Sequence, residues 1–225
     1  EEIFDSFCRS VEASDIDSTD ATVNVSFANG GARTLVDFVF PNEQFKVNGD
    51  SSTTALSITA LNSFDGSTRY LTKAGGLRMK CLNGQLLGTV AGSYSSTHSP
   101  NLSVEEGAKQ VVRMLQDFRK AQDYFGDMMS KRVGDEIAAG VILKYFDKED
   151  IEQLDKNKNA RQVFHNWKIY KMEMGDNLYA LYNALTDYVT HKQSKTGAAG
   201  RLIRERKMLK LLRNFDKPEQ VALAA

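Results

Sequence analysis

Three histidines (His98, His165 and His191) and two cysteines (Cys8 and Cys81) are all the imidazoles and thiols this chain offers. None falls at His-x-x-x-His or Cys-x-x-Cys spacing, so a metal centre would have to be assembled wholly by the fold. No Gly-x-x-x-x-Gly-Lys-Ser/Thr phosphate loop occurs, and no Gly-x-Gly-x-x-Gly dinucleotide turn. The expectation is therefore no metal and no cofactor. Carboxylates are plentiful, yet no acidic cluster falls at a strand end in the manner of a two-metal nuclease. Cys81 in a strand reads as a small buried hydrophobe rather than a nucleophile. No catalytic residue is assigned. A hydrolase or nuclease would need a site gathered by folding from Arg78, Cys81, His98 and His191.

The chemistry that the residues do signal is anion binding. Between His191 and Lys217 the basic residues are Lys192, Lys195, Arg201, Arg204, Arg206, Lys207, Lys210, Arg213 and Lys217, opposed by Glu205 and Asp216, a local charge of +7. At helical spacing Leu202, Met208, Leu209 and Leu212 share one arc of about 120°, with most of the basic side chains around the rest. Such a helix docks by one face and offers cations by the other. Phosphate backbones suit it, because counterion release needs clustered charge rather than global charge. A solvated amphipathic helix and docking on a membrane surface are the alternatives. Arg69, Lys73, Arg78 and Lys80 are candidate backbone contacts from the strand-rich half. Tyr70, Tyr94, Trp167 and Tyr170 lie beside cations or in a Gly-rich strand. They are candidates to stack bases, with ordinary core packing as the alternative.

Composition bounds these readings. Across 225 residues, 29 Lys plus Arg balance 29 Asp plus Glu, and 41% of residues are hydrophobic. Such a chain is neither a disordered polyelectrolyte nor a collagen, and two cysteines cannot staple a disulfide scaffold. The neutrality is an average. Residues 1–100 carry 7 basic and 11 acidic residues (−4), and residues 101–225 carry 22 and 18 (+4). No apolar run approaches the roughly 18 residues of a membrane helix, so no membrane partner is expected. The acidic start lacks the pattern of a secretory signal, and the unpaired cysteines suit a reducing compartment. A cytoplasmic location is expected. The chain opens on Glu1 rather than Met, which suggests processing or a partial chain.

The architecture that must position these residues also changes near residue 100. Val23, Val25 and Phe27, then Val36, Phe38 and Phe40, alternate with polar neighbours around Asn29-Gly30-Gly31, which is a hairpin pattern. Pro41 is expected to close the second strand, since it lacks a ladder donor. Residues 55–62, 77–83 and 86–95 are further strands, with turns at Phe64-Asp65-Gly66 and Asn83-Gly84. Gly75-Gly76, Gly84, Gly88 and Gly92 predict bulges. Ser103 with Glu106 forms a capping box, and Val104, Ala108, Val111, Leu115 and Phe118 predict a helix of about 25–30 residues. Shorter helices follow at 134–144, from Asp147 and Asp150, and over 161–174. Gly175-Asp176-Asn177 breaks the last of these before a helix through Tyr188 and Val189. A linker at 194–200 precedes a final helix, 201–215. The expected fold class is α+β: an antiparallel, twisted sheet (1–100) packed against helices (101–225), in one integrated domain.

Three ordered segments carry a resemblance. They are Asn62-Ser63-Phe64-Asp65-Gly66-Ser67; then Arg78-x-x-Cys81-x-Asn83-Gly84 with His98; and Asn183-Ala184-Leu185-Thr186-Asp187-Tyr188-Val189-Thr190-His191. Together they resemble the phage/plasmid-like protein family, a domain of unknown function from bacteriophage, plasmid and prophage genomes. The resemblance covers about residues 20–215. It implies a mobile-element protein acting in DNA replication, recombination or evasion of host defence, and a chain that begins inside the family's domain. Read physically, Asn62, Asp65 and Gly66 suit a tight turn, as do Asn83 and Gly84. Asn183 and Thr186 lie three apart on one helix face, with Tyr188 and His191 beyond. They make either a buried polar stripe that fixes helix packing, or a site for sugar, phosphate or base edges with Arg78 and His98.

The leading functional expectation is a non-catalytic, phage- or plasmid-encoded single-stranded DNA-binding protein of the annealing type, acting as a homo-oligomer. Arg201, Arg204, Arg206, Lys207, Lys210 and Arg213 would hold the backbone, with Arg69, Lys73, Arg78 and Lys80. A virion component or an inhibitor of a host enzyme is the alternative from another class. The fold-assembled hydrolase is the third.

Overall fold

Alternating apolar and polar side chains form β1 (Thr22–Ala28) in the computed structural model of the chain. The structure describes residues 2–80, 83–85, 93–97 and 103–192, together with Arg204, Lys207, Met208 and Leu211. After β1 the chain reverses through Asn29, Gly30 and Gly31, all at positive φ (53°, 63° and 95°), and enters β2 (Arg33–Lys46) with Ala28 opposite Arg33. β3 (Thr53–Ser63) and β4 (Tyr70–Arg78) continue the antiparallel meander. β5 (Asn83–Gln85) pairs with residues 76–78 of β4, and β6 (Ser93–Ser96) with residues 70–73. Among the described residues the sheet therefore has six strands, all antiparallel, and β1 forms one of its edges.

Three strand expectations need correction. Pro41 does not close β2. Pairing jumps from Phe40–Leu56 to Gln44–Ala55, so Pro41, Asn42 and Glu43 bulge out where no ladder donor is needed. Asn83-Gly84 is not a turn but part of β5, with Asn83 opposite Arg78. Met79 and Lys80 lie in a turn before it, and the strand expected over 77–83 lies earlier in the chain, as β4 from Tyr70 to Arg78. Gly75-Gly76 causes no bulge, since both pair in register with Ser57 and Leu56. Gly88 and Gly92 lie outside the described residues.

The first element is a helix that the alternation argument did not anticipate. In α1 (Glu2–Glu12), Phe7 and Val11 sit one turn apart and are buried, and the Phe7 ring stacks on Phe38 of β2 at 4.8 Å. The long helix is α2 (Val104–Ser130), where the Ser103 hydroxyl accepts the Glu106 N–H at 3.0 Å, as the cap spacing predicts. α3 (Asp135–Tyr145), the single-turn α4 (Gln153–Lys156), α5 (Lys158–Met174) and α6 (Leu178–His191) follow. Asn157 and Asn177 cap α5 and α6, each accepting backbone N–H groups within the first turn. A φ of 90° at Gly175 ends α5. This is the expected α+β layout.

One core joins the layers. Leu56, Ile58 and Ala60 of β3 and Ala74 of β4 face the helices, where Phe125 of α2 meets the rings of Tyr179 and Tyr182 of α6 at 5.4 and 5.2 Å. On the opposite face Leu35, Leu61 and Leu71 form a small separate cluster. Among the described residues the helix layer covers β2, β3 and β4 but stops short of β1, whose Val23, Val25 and Phe27 stay exposed.

Candidate functional site

Among the described residues a dense polar network lies where the end of β4 meets α5 and α6. Arg78, opposite Thr54 in the ladder, points into the helix-covered face and is fully buried. Its Nε and Nη2 donate to Oδ2 and Oδ1 of Asp50 at 2.9 and 2.6 Å, a two-pronged clamp on a carboxylate. Nη2 also donates to Glu173 Oε1 at 2.8 Å, and the guanidinium lies 5.7 Å from the centroid of the Tyr170 ring. Side-chain exposure is 0% for Arg78, 1% for Asp50 and 19% for Glu173, so the network opens to solvent at its glutamate end. There Lys80 Nζ and Ser51 Oγ donate to Glu173 Oε1, each at 2.7 Å. Asp50 also accepts from the Ser52 N–H at 2.9 Å and from Tyr179 OH at 3.3 Å. The turn that delivers Asp50 needs Gly49: its φ is +90°, and a Cβ there would lie 2.6 Å from Met129 Cε.

Two carboxylates around one guanidinium, with a lysine at the mouth, pin the β2–β3 turn, β4, α5 and α6 together. Burial is the largest single influence on the Glu173 carboxyl and pushes its pKa up. The hydrogen bonds from Lys80, Ser51 and Arg78 together overcome it, bringing the value down from 4.5 to about 2. A carboxyl lowered in this way contributes stability that is complete above pH 4.5 and is lost as pH falls towards 2. Accordingly, the urea midpoint of the wild type should fall more steeply than that of Glu173→Gln across this window. Parallel curves from pH-dependent unfolding followed by circular dichroism would refute the assignment.

A second polar knot joins α3 to α5. Asp135, in the first turn of α3, accepts from Trp167 Nε1 at 2.9 Å, from Lys171 Nζ at 3.1 Å and from Lys168 Nζ. The Lys168 hydrogen bond is the largest influence lowering its pKa, followed by that from Trp167. Between α5 and α6, Tyr170 OH donates to Asp187 Oδ2 at 3.1 Å. Burial raises the Asp187 pKa, against lowering by Tyr170 and His191.

The structure distributes the expected site residues rather than uniting them. Arg78 cannot serve as a surface contact for a phosphate backbone, because its guanidinium is buried on Asp50 and Glu173. Lys80 is exposed but engages Glu173, and Lys73 is half-buried in β4. Arg69 is exposed just before β4. In the basic segment, Arg204 donates through Nη2 to the Lys192 carbonyl at 2.8 Å and through Nε to the Val189 carbonyl at 3.3 Å, satisfying the last turn of α6. Lys207 pairs with Asp147 and lies 5.6 Å from the centroid of the Tyr145 ring. Met208 and Leu211 are buried; Met208 belongs to the expected apolar arc, whereas Leu211 does not. Arg201, Arg206, Lys210, Arg213, Leu202, Leu209 and Leu212 lie outside the described residues.

Base stacking is not open to three of the four aromatic candidates. Tyr70, Trp167 and Tyr170 are buried, and half-exposed Tyr94 packs edge-on against Tyr70 at 6.2 Å.

Several motif residues occupy turn and core positions. Ser63 Oγ donates to the Thr68 carbonyl at 2.8 Å and accepts the Thr68 N–H at 3.1 Å, closing the β3–β4 turn. Within that turn Asp65 accepts the N–H and hydroxyl of Ser67, Gly66 has φ 66°, and Arg33 Nε donates to Ser67 Oγ at 2.7 Å. Asn62 is half-buried at the end of β3. Asn183 and Thr186 are fully buried, donating to the carbonyls of Tyr179 at 2.9 Å and Asn183 at 3.1 Å within α6. Tyr188 is buried against Tyr145 and Phe146, and His191 is exposed at the end of α6. Cys81 and His98 lie outside the described residues, as does the Asn83 side chain. Asp50 and Glu173 were missed by the sequence reading. No spacing joins them to Arg78, since they stand 28 and 95 positions away along the chain.

Residues 4–219 match the family described as Domain of unknown function (DUF932). The chain belongs to that family. The DUF932 match takes in α1, which precedes the stretch carrying the motif resemblance. No curated protein matches the chain, and neither does any solved structure. Among the described residues no three His, Cys, Asp or Glu side chains are grouped to hold a metal ion. No described helix is long and apolar enough to cross a membrane.

Proposed function

We propose that this DUF932 chain is a non-catalytic single-stranded DNA-binding protein of a mobile genetic element, of the annealing type and working in recombination or replication. The observation that carries the reading is the basic segment of +7 between His191 and Lys217, docked on the core through Met208 and Leu211. Arg204 and Lys207 serve that docking. On the helical period alone, Arg206, Lys210 and Arg213 fall on the arc opposite positions 204, 208 and 211. These three are the candidate phosphate contacts, because a cation already committed to a carbonyl or carboxylate gains little by meeting a phosphate. The cytoplasm of a host cell is the compartment that goes with this reading.

Fluorescence anisotropy of a labelled oligonucleotide, titrated with salt, tests it. Affinity should fall steeply with salt, and reversing Arg206, Lys210 and Arg213 to Glu should lower the log–log slope by about 0.7 per lost phosphate contact. Absence of binding at about 50 mM salt, or indifference to the reversals, would defeat the proposal. A second reading, attachment to a host or virion protein, has its own support in α5. Ile169 and Met172 are exposed there on one face, Met172 at 81%. A chain that ignores oligonucleotides while losing a protein partner on Met172→Glu would transfer the assignment to that reading.

A further inference from the structure

We infer that β1 is a self-association surface: two copies pair their β1 strands antiparallel about a twofold axis at Val25, joining two sheets into one. Among the described residues β1 pairs with β2 alone, so its outer side is an open edge. Open edges in monomeric proteins are normally blunted by Lys, Pro or inward charges. The segment Thr22-Val23-Asn24-Val25-Ser26-Phe27-Ala28 contains none of these. Its apolar side chains are also uncovered: Val23, Val25 and Phe27 are 40%, 51% and 66% exposed. They share the helix-facing side of the sheet, since Val23 lies opposite Phe38 and Val25 opposite Val36, both buried. The core face therefore runs past the last helix into solvent. Phe4, stacked on Phe38 with centroids 6.0 Å apart, is half-exposed beside it.

The strand is complementary to itself, which points to a second copy as the occupant. Reversed about Val25, it sets Val25 against Val25 of the other copy and Val23 against Phe27 on the core face, a β-branched–aromatic pair made twice. Asn24 then meets Ser26 on the polar face, and Thr22 meets Ala28. The charges also suit the antiparallel arrangement. The acidic approach to β1 (Asp15, Asp17 and Asp20, all exposed) passes the other copy's Asn29-Gly30-Gly31 turn, where the next charge is Arg33, of opposite sign. In a parallel pairing the acidic approaches would meet each other. Two-fold pairing of one patch with itself is the commonest form of soluble assembly.

Sedimentation of the full chain between about 1 and 100 µM should show a monomer–dimer equilibrium. Val25→Lys should weaken the dimer roughly a hundredfold by setting two ammonium groups face to face at the axis. It should leave the circular dichroism spectrum and thermal midpoint of the monomer unchanged, because the side chain is half-exposed. Should that variant fail to fold, mild oxidation decides. Val25→Cys should form a covalent dimer readily and Asn24→Cys poorly, since the register sets Asn24 diagonal to its own counterpart. A wild type monomeric throughout the range overturns the proposal. So does a Val25→Lys dimer of unchanged affinity, or equal crosslinking of the two cysteine variants. The inference stands apart from nucleic-acid binding. A monomer that holds oligonucleotide would remove only the dimer, and a dimer that ignores oligonucleotide only the DNA reading.

Discussion

Arg78→Met is expected to lower the unfolding free energy by about 3–5 kcal/mol, the range for breaking a buried ion pair from one side. The loss comes less from the missing attraction than from what remains. Asp50, with a side chain 1% exposed, would be left in a buried site without the guanidinium that pairs it. Glu173 would retain Lys80 and Ser51 at the solvent edge and so suffer less. Arg78→Lys should fall between, because one ammonium cannot reproduce the two-pronged clamp on Asp50 and the bond to Glu173 together. The decisive comparison adds Asp50→Asn to Arg78→Met. Removing the stranded carboxyl should make the double variant more stable than Arg78→Met alone. Urea unfolding followed by far-ultraviolet circular dichroism measures all three. A loss under about 1 kcal/mol for Arg78→Met, or no recovery in the double variant, would show that the network does not hold the fold as described.

Trp167→Ala should cost a similar amount, about 3–5 kcal/mol, for a different reason. The indole is fully buried in the middle of α5, and truncation leaves a cavity that helices held on both sides cannot collapse to fill. Its Nε1–H also bridges to Asp135 at the start of α3, so the substitution loosens α3 as well. Trp167→Phe separates the two contributions. It keeps most of the apolar volume and loses the hydrogen bond to a half-exposed carboxylate, so about 1–2 kcal/mol is expected. Trp167 is the sole tryptophan in the chain, and circular dichroism rather than fluorescence must follow its replacements. Equal losses for Phe and Ala would mean that the hydrogen bond, not the packing, is the larger contribution.

Local signals read well where the local interaction is also the one the fold keeps. Ser103 predicted the start of α2 because its hydroxyl has a target three residues away, whatever the rest of the chain does. Asn29-Gly30-Gly31 predicted the first hairpin because positive φ is cheap only for such residues. Gly175, at φ 90°, marked the end of α5 on the same grounds, and Asn177 marked the start of α6 as its cap. Pro41 and Asn83-Gly84 read badly because pairing partners distant in sequence overrule propensity: a bulge absorbs the proline, and β4 draws Asn83-Gly84 into a strand. α1 escaped notice because its apolar face is short and becomes evident only when Phe38 is there to stack on.

The candidate site divides along the same line. Sequence alone determined the α+β class, the order of most elements, the charge separation at residue 100 and the +7 segment, since period, caps and charge are properties of neighbouring residues. Tertiary structure alone decided what Arg78, Arg204 and Lys207 do. It buried Arg78 on Asp50 and Glu173, turned Arg204 back onto the end of α6, and paired Lys207 with Asp147. It also left Val23, Val25 and Phe27 of β1 exposed at an edge of the sheet. The reason is common to all of these. Whether a charge or an apolar side chain meets water depends on which distant segment packs against it, and residue spacing along the chain does not encode that.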